Sequence, residues 1–457
     1  MHRRLRRLVF GFLFCFSALL RSQPLPNSSL PVPETYFPGL KTLLEEAVRQ
    51  SPRMIARNMD EALTENQRAM TDAQRLPQVS GSLTYFPVNH EERRGDPLSP
   101  YTSQKSAYSL NLSQPLYHWG ALINTSRIAE LQQRVVQGQT VEAYRLLVSE
   151  IRSGYLQLIV KKAGLARTRE SVKLTEAQLA LAQERFDQGQ ISEADLFGPT
   201  LGMDQARLSL DRVVEDYEWS KKNFAKLYGG EPLADEQIPD GIPDISISLE
   251  ECEALLAEFA GDQENRSYGL RIMRDQLEME KLNYEIASAR LKPKVNLIVG
   301  TSQDEQSYTR NIGDKYGVTA YYAGVRVEWS IFDGFATRAI KRNALIRRRM
   351  AERNFAESSS AVLDNARAKL RQLRFSVRSL ELHQRQVRVN DEVFKRTQAD
   401  AARGAISPAD LRSAEFNRAG SLIDTYNVRG ECLMRVTDFV ATLLADPALA
   451  NLPSHLR

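Results

Sequence analysis

Eight residues, Gly189-Gln190-Ile191-Ser192-Glu193-Ala194-Asp195-Leu196, return 215 positions later as Gly404-Ala405-Ile406-Ser407-Pro408-Ala409-Asp410-Leu411, with six identities. A second pair, Ala73-Gln74-Arg75-Leu76-Pro77-Gln78-Val79 and Ala289-Arg290-Leu291-Lys292-Pro293-Lys294-Val295, repeats at an offset of 216. Solenoid units are about 20 to 50 residues long. A period near half the chain means instead two copies of one half-protein, each packed beside its twin.

The 457 residues alone suggest two or three domains or one elongated body. Residues 1–22 read as a secretory signal: Arg3, Arg4, Arg6 and Arg7 precede the 13-residue apolar run Leu8 to Leu20, and cleavage is expected after Ser22. An uncleaved anchor would need a span of about 20 residues, longer than this run. Phe14 occupies the place where a lipoprotein signal needs a small residue before Cys15. Removing the signal takes five Arg and no acid, leaving 56 basic against 57 acidic side chains, a net charge of about −1. The basic footprint of a nucleic-acid binder is absent. Of the remaining cysteines, Cys252 and Cys432, an exported compartment permits a bridge, and small buried thiols are the expectation.

No later apolar run approaches a transmembrane helix, so any membrane passage must be made by strands. Four segments have strand character, two per half: 79–88, 106–116, 294–303 and 318–331. Tyr108, Leu110 and Leu112 alternate with Ser109, Asn111 and Ser113; Val325, Val327, Trp329 and Ile331 alternate with Arg326, Glu328 and Ser330. Soluble sheets alternate in the same way, while the lengths and the aromatics Tyr85, Phe86, Tyr108, Tyr321, Tyr322 and Trp329 suit a membrane barrel. Polar loops, His90 to Ser103 and Gln303 to Lys315, read as solvent-facing tips between paired strands.

The rest is helix with a heptad seam. Ala366, Leu370, Leu373, Val377, Leu380, Gln384, Val387, Asp391 and Phe394 keep a 4-3 rhythm without a slip. Tyr144, Leu147, Ile151, Gly154 and Leu158, then Val172, Thr175, Leu179, Ala182 and Phe186, form the counterpart, with Met203 to Leu227 returning in the same period. A 3.5-residue repeat keeps one stripe against a partner helix. The proline-free stretch Gly120 to Gln188 would span roughly 100 Å as one helix at about 1.5 Å per residue. At each repeated octapeptide the chain reverses: Gly189 and Gly404 suit a left-handed helix end, Ser192 and Ser407 an N-cap, and Asp195 and Asp410 the N3 place of a capping box. Pro408 fits N1, and Pro199 predicts a local kink in the first return helix. The breaker-rich stretch from Gly229 joins the halves, giving a signal (1–22), an N-terminal extended segment (23–39), repeats at 40–230 and 248–445, a linker (231–247) and a tail (446–457).

This order, together with the Leu-Glu-Glu openings at Leu44 and Leu249, the proline lead-ins at Pro77 and Pro293, the strand exits Leu116-Tyr117-His118-Trp119-Gly120 and Ile331-Phe332-Asp333-Gly334 and the paired tips, resembles the TolC-like outer-membrane factors of efflux pumps and type I secretion systems. The resemblance covers roughly residues 40 to 445. It implies a mostly helical chain with a transmembrane β portion, assembling as a homotrimer in which four strands per subunit complete a twelve-stranded barrel above a periplasmic α-tunnel. It implies an outer-membrane location in a diderm bacterium, a passive exit duct, and three kinds of partner: outer-membrane lipid, a periplasmic adaptor (membrane fusion protein) and an inner-membrane transporter. It also implies that Gly189, Gln190, Ile191, Ser192, Gly404, Ala405, Ile406 and Ser407 contact the adaptor. Asp410, and Asp195 in the first half, fall where an acidic gating ring can sit. Helix capping is the other reading of both. The family's second gate acid is Ser413 here, and its basic lock is Ile406. A periplasmic coiled-coil scaffold or adaptor without a pore is the alternative.

No enzyme is expected. His90, His118, His383 and His455 are scattered and form no metal-binding spacing, and no phosphate loop, nucleophile elbow or cofactor signature is found. The run Arg347-Arg348-Arg349 reads as a solvated helix face, with lipid headgroups or a tunnel wall as the functional readings.

Overall fold

The computed structural model describes residues 30–92, 101–265, 267–307, 315–406 and 408–456. The expected signal peptide with Cys15, the centres of both polar loops and Ser407, expected as an N-cap, lie outside these residues. Each half repeats one order: short helices, a strand pair, a long helix and a return helix. The first comprises α1 (Pro33–Tyr36), α2 (Pro38–Gln50), α3 (Pro52–Ala73), β1 (Gln78–Glu91), β2 (Tyr101–Tyr117), α4 (Ala121–Asp187) and α5 (Glu193–Tyr228). The second comprises α6 (Leu249–Gly261), α7 (Tyr268–Ala289), β3 (Lys294–Ser307), β4 (Lys315–Glu328), α8 (Ala336–Ala402) and α9 (Pro408–Thr442).

The four strands form one antiparallel sheet in the order β1-β2-β3-β4, so β2 and β3 join the two halves. Below it α3 packs on α4, α4 on α7 and α7 on α8; farther down α5 packs on α4, α4 on α9 and α9 on α8. The long helices α4 and α8 have 67 residues each, about 100 Å at a rise of about 1.5 Å. Their seams follow the heptads. Tyr144, Leu147, Ile151, Leu158, Ala366, Leu370, Leu373 and Leu380 are buried, and Met203, Tyr217 and Phe224 answer them from α5. A Cβ on Gly154 would stand 2.9 Å from Phe224 Cδ2, so the seam needs a glycine there for the ring to pack.

The core lies at mid-height, where α1, α2, the middle of α4, the linker, α6 and the end of α9 meet. The linker is not a loose tether: Ile238, Ile242 and Ile245 are buried in this core. Cys252 and Cys432 are buried there as free thiols, and burial pushes Cys252 up to about 11 and Cys432 to about 12. Arg152, with no exposed surface, donates to Asp446 through Nη1 (2.7 Å) and Nη2 (2.8 Å), and to Glu34 Oε1 through Nε (2.9 Å) and Nη2 (2.6 Å). Burial works against its charge; the Asp446 and Glu34 carboxylates outweigh it and hold the pKa above the ordinary arginine value.

Several boundaries differ from the sequence reading. The stretch expected to be extended up to residue 39 contains α1, and α2 starts at Pro38, because Pro33 and Pro38 stand at helix starts, where a missing N–H leaves nothing unpaired. The fourth strand stops at Glu328 instead of 331. Trp329 and Ile331 belong to the turn that follows, where the Trp329 indole donates to the Leu291 carbonyl at 3.0 Å. Strands also reach into both polar loops, as far as Glu91 and back to Tyr101, and to Ser307 and back to Lys315. The tail folds into a 3-10 turn, Pro447–Asn451, whose first N–H groups are capped by Asp446. Helix α5 is continuous through Pro199. In the arginine run, Arg348 pairs with Glu352 at 2.8 Å, while Arg347 and Arg349 are exposed.

Replacing Arg152 by Met strands the buried Asp446 and the half-buried Glu34 carboxylates, and breaking such a network costs about 3–5 kcal/mol. The guanidinium chloride midpoint of the helical circular-dichroism signal is expected to fall accordingly; an unchanged midpoint removes the network as the anchor of the core.

Candidate functional site: an open sheet and two helical tips

Register decides what the sheet can do. Val79 faces Leu112, Leu83 faces Tyr108, Leu112 faces Val299, Leu297 faces Val325 and Val295 faces Val327. Residues paired across an antiparallel ladder share a face, so the alternation of all four strands is in phase. One face carries Val, Leu and Tyr; the other carries Ser80, Ser82, Ser109, Asn111, Ser302 and Arg326. On the polar face Ser82 and Ser109 hydroxyls bond at 2.8 Å, Lys105 pairs with Asp304 at 3.2 Å, and Tyr322 donates to Asn111 across Gly300, where a Cβ would strike the ring.

Nothing among the described residues covers the apolar face. Leu83 is 78%, Tyr321 82% and Val325 61% exposed. The outer sides of β1 and β4 have no strand beside them among the described residues. Lower down the same incompleteness recurs. Helix α3 turns Ile55, Met59, Leu63 and Met70 away from its seam, α5 does so with Phe197, Leu201, Leu208 and Trp219, and α8 with Phe375, Leu382, Val389 and Val393. No comparable packing joins α3 or α5 to α8 among the described residues. Charge follows the same division: from Glu193 to Trp219 seven acidic side chains stand against two basic, and from Arg371 to Arg396 seven basic against three acidic.

Each strand exit uses two successive left-handed residues, Trp119 (φ 55°) with Gly120 (φ 79°), and Gly334 (φ 63°) with Phe335 (φ 67°). A non-glycine there costs roughly 1–2 kcal/mol. The Trp119 indole offsets this by donating to the Pro293 carbonyl at 2.8 Å, and Asp333 caps α8 by accepting from the Thr337 N–H at 2.8 Å.

At the far end the tips match in backbone. Gly189 (φ 69°) donates to Phe186 O and Gln190 to Arg185 O, both at 2.8 Å; Gly404 (φ 71°) donates to Ala401 O at 3.0 Å and Ala405 to Asp400 O at 2.9 Å. Both are Schellman ends. Gln190, Ser192 and Ala405 are solvent-facing, with Ile191 and Ile406 half-buried. Asp195 closes the capping box: Oδ2 accepts from the Ser192 N–H at 3.0 Å and hydroxyl at 2.7 Å, while Ser192 Oγ accepts from the Asp195 N–H at 3.3 Å. These bonds hold its carboxyl below the usual range. Asp410 is exposed in the first turn of α9, two residues after Pro408. The four histidines beyond the first 22 residues are far apart in role: His90 meets Thr102, His118 meets Asn296, His383 meets the Ser379 carbonyl and His455 lies 3.5 Å from Glu61.

The family model for outer membrane efflux proteins matches residues 43–230 and 263–438, which is most of the chain. The chain belongs to that family. Solved structures with the same fold include the outer membrane channel CmeC of Campylobacter jejuni (TM-score 0.70, 13% identity, covering 100% of this chain and 99% of that one). They also include the outer membrane protein VceC of Vibrio cholerae (0.65, 14%, 90% and 97%) and the MtrE outer membrane channel of Neisseria gonorrhoeae in its open state (0.65, 14%, 89% and 89%). No curated protein sequence matches the chain.

In this efflux protein no helix among the described residues is long and apolar enough to cross a membrane. Three features escaped the sequence reading: the Arg152 network, the free flanks of α3, α5 and α8, and the paired left-handed residues. The flanks were visible as second apolar heptads out of phase with the first; the network joins residues 34, 152 and 446, and no local pattern marks it.

The Asp195 cap carries a pH signature. Because its folded pKa is depressed, its contribution is complete above the ordinary carboxylate pKa of about 3.9 and is lost as pH falls through the lower folded value. Hydrogen exchange at residues 192–196, corrected for intrinsic rate, is expected to be constant from pH 7 to 5 and to rise only in stronger acid, whereas Asp195→Asn raises it throughout.

Proposed function

We propose that this protein is the outer-membrane exit duct of a tripartite efflux pump or type I secretion system, conducting substrates passively and without catalysis. The observation that carries this reading is the sheet whose apolar face is uncovered and whose edges are open. In lipid an open edge costs several kcal/mol for each unpaired backbone group, so only a closed barrel can span. The free flanks supply the closure: β1, α3 and α5 from the first half on one side, β4 and α8 from the second half on the other. Joining unlike surfaces is a heterologous contact, which closes into a ring when the rotation permits. Three copies give twelve strands above a helical tunnel, with the acidic α5 flank against the basic α8 flank.

In this reading residues 1–22 direct export, repeats 40–230 and 248–445 are joined by the linker 231–247, and the helices hang in the periplasm. The tips, Gly189 to Ser192 and Gly404 to Ser407, meet a periplasmic adaptor that links the duct to an inner-membrane transporter. Asp410, exposed in the first turn of α9, and Asp195 are the gate candidates. Three Asp410 side chains around an axis favour cations. The pore-free scaffold reading shares the coiled hairpins but leaves the apolar sheet face unexplained.

The purified protein is expected to run as a detergent-dependent, heat-modifiable trimer and to conduct in planar bilayers. A detergent-free, water-soluble monomer would overturn the duct. Asp410→Lys is expected to turn the cation preference towards anions; an unchanged reversal potential removes the gate assignment and leaves the duct standing.

A further inference from the structure

The foot of the sheet carries cations that barrel closure does not use. Tyr117 pairs with Val295, which pairs with Val327, so Tyr117 stands on the apolar face. The Trp119 ring packs tilted against Tyr117 with ring centroids 4.9 Å apart, and Lys292 Nζ lies 4.6 Å over the Trp119 ring. Trp329 lies in the turn just beyond the last residue of β4 and is 60% exposed. The two indoles donate to the carbonyls of Pro293 and Leu291 and so grip the turn ahead of β3, which carries exposed Arg290 and Lys292.

The repeat places exposed Arg75 in the matching turn ahead of β1. There Gln114, which faces Leu297 and so shares the apolar face, donates to the Arg75 carbonyl at 2.8 Å. None of Arg75, Arg290 and Lys292 makes an ion pair among the described residues. Of the nearby carboxylates, Asp333 caps Thr337 and feels the Arg290 charge without a close ion pair, Glu285 accepts from Asn124 at 2.8 Å, and Asp72 accepts from Ser126.

We propose that this collar binds the phosphates of anionic glycerophospholipids in the leaflet nearest the helices. The proposal rests on the sheet spanning a bilayer. Indoles settle at the boundary between hydrocarbon and headgroup, which puts the lead-in turns, and their cations, at phosphate depth. An anionic leaflet attracts such side chains strongly, about fivefold in partition for each cation near the surface. The stack on Trp119 holds Lys292 in place, so less side-chain freedom is lost when a phosphate arrives.

The chain contains three tryptophans, Trp119, Trp219 and Trp329. Trp219→Phe therefore leaves only the two collar indoles as fluorophores. The full-length trimer of this variant, in phosphatidylcholine vesicles, is titrated with phosphatidylcholine or phosphatidylglycerol brominated near the headgroup. The expected result is quenching by both lipids, with phosphatidylglycerol preferred at least severalfold. That preference should vanish in Arg75→Gln/Arg290→Gln/Lys292→Gln and persist in Arg75→Lys/Arg290→Lys/Lys292→Arg. Equal quenching by the two lipids in the starting protein overturns the phosphate site and leaves the membrane-spanning sheet intact, as does a preference that survives the triple Gln exchange. No quenching by either lipid takes the sheet out of the bilayer and removes both readings.

Discussion

Every backbone N–H and C=O on the outer sides of β1 and β4 needs a partner, and hydrocarbon offers none. A lone four-stranded sheet can meet that demand in water, but water does not explain why one face is a continuous field of Val, Leu and Tyr. Closure with further copies, as proposed above, satisfies both. The helices carry the same message at lower levels, because an apolar heptad that faces away from its own seam is a seam for another chain. In the proposed ring the contacts between copies fall at three heights, in strands, in α3 with α8, and in α5 with α8.

Duplication explains why those flanks differ from one another. In a chain built from two similar halves, the inner contacts, β2 with β3, α4 with α7 and α4 with α9, join half to half. The outer flanks are then a first-half surface on one side and a second-half surface on the other. In the proposed ring each boundary between copies repeats, in kind, the boundary inside each copy. The opposite charges of α5 and α8 sharpen the match and disfavour α8 meeting α8, where the arginine-rich flank would face itself.

Much of this was legible in the residues. The seams were readable because 3.5-residue periodicity is a local property: every position from Ala366 to Leu380 named on pattern is buried or half-buried. The tips were readable because a left-handed helix end wants glycine, and Gly189 and Gly404 take that conformation. Strand ends were less so. Trp329 and Ile331 keep the alternation of β4, yet the ladder stops at Glu328, because the indole is claimed by a carbonyl 38 residues away. Trp119 and Phe335 could not be foreseen as left-handed residues, since side-chain chemistry disfavours it and only the surrounding contacts hold them there. The core at mid-height was hidden for the same reason: Arg152 finds its partners at opposite ends of the sequence.

The burial of the seams grades along the helices, and that gradient says where the molecule can move. Around Tyr144 to Leu158 and Ala366 to Leu380 the stripes are shut in the core; from Val172 to Phe186 and from Gln384 to Phe394 they are only half-buried. In that lower stretch polar contacts take over, with Arg418 bridging to Asp391 at 2.6 Å and lying over the Phe394 ring. Little apolar surface is given up when such a region opens, so its opening free energy is low. The upper end is the reverse: capped, tied to the sheet by the Trp119 and Trp329 indoles and anchored below by Arg152. In the proposed duct the lower helices and tips are thus the part that opens at least cost, and the sheet end the part that resists.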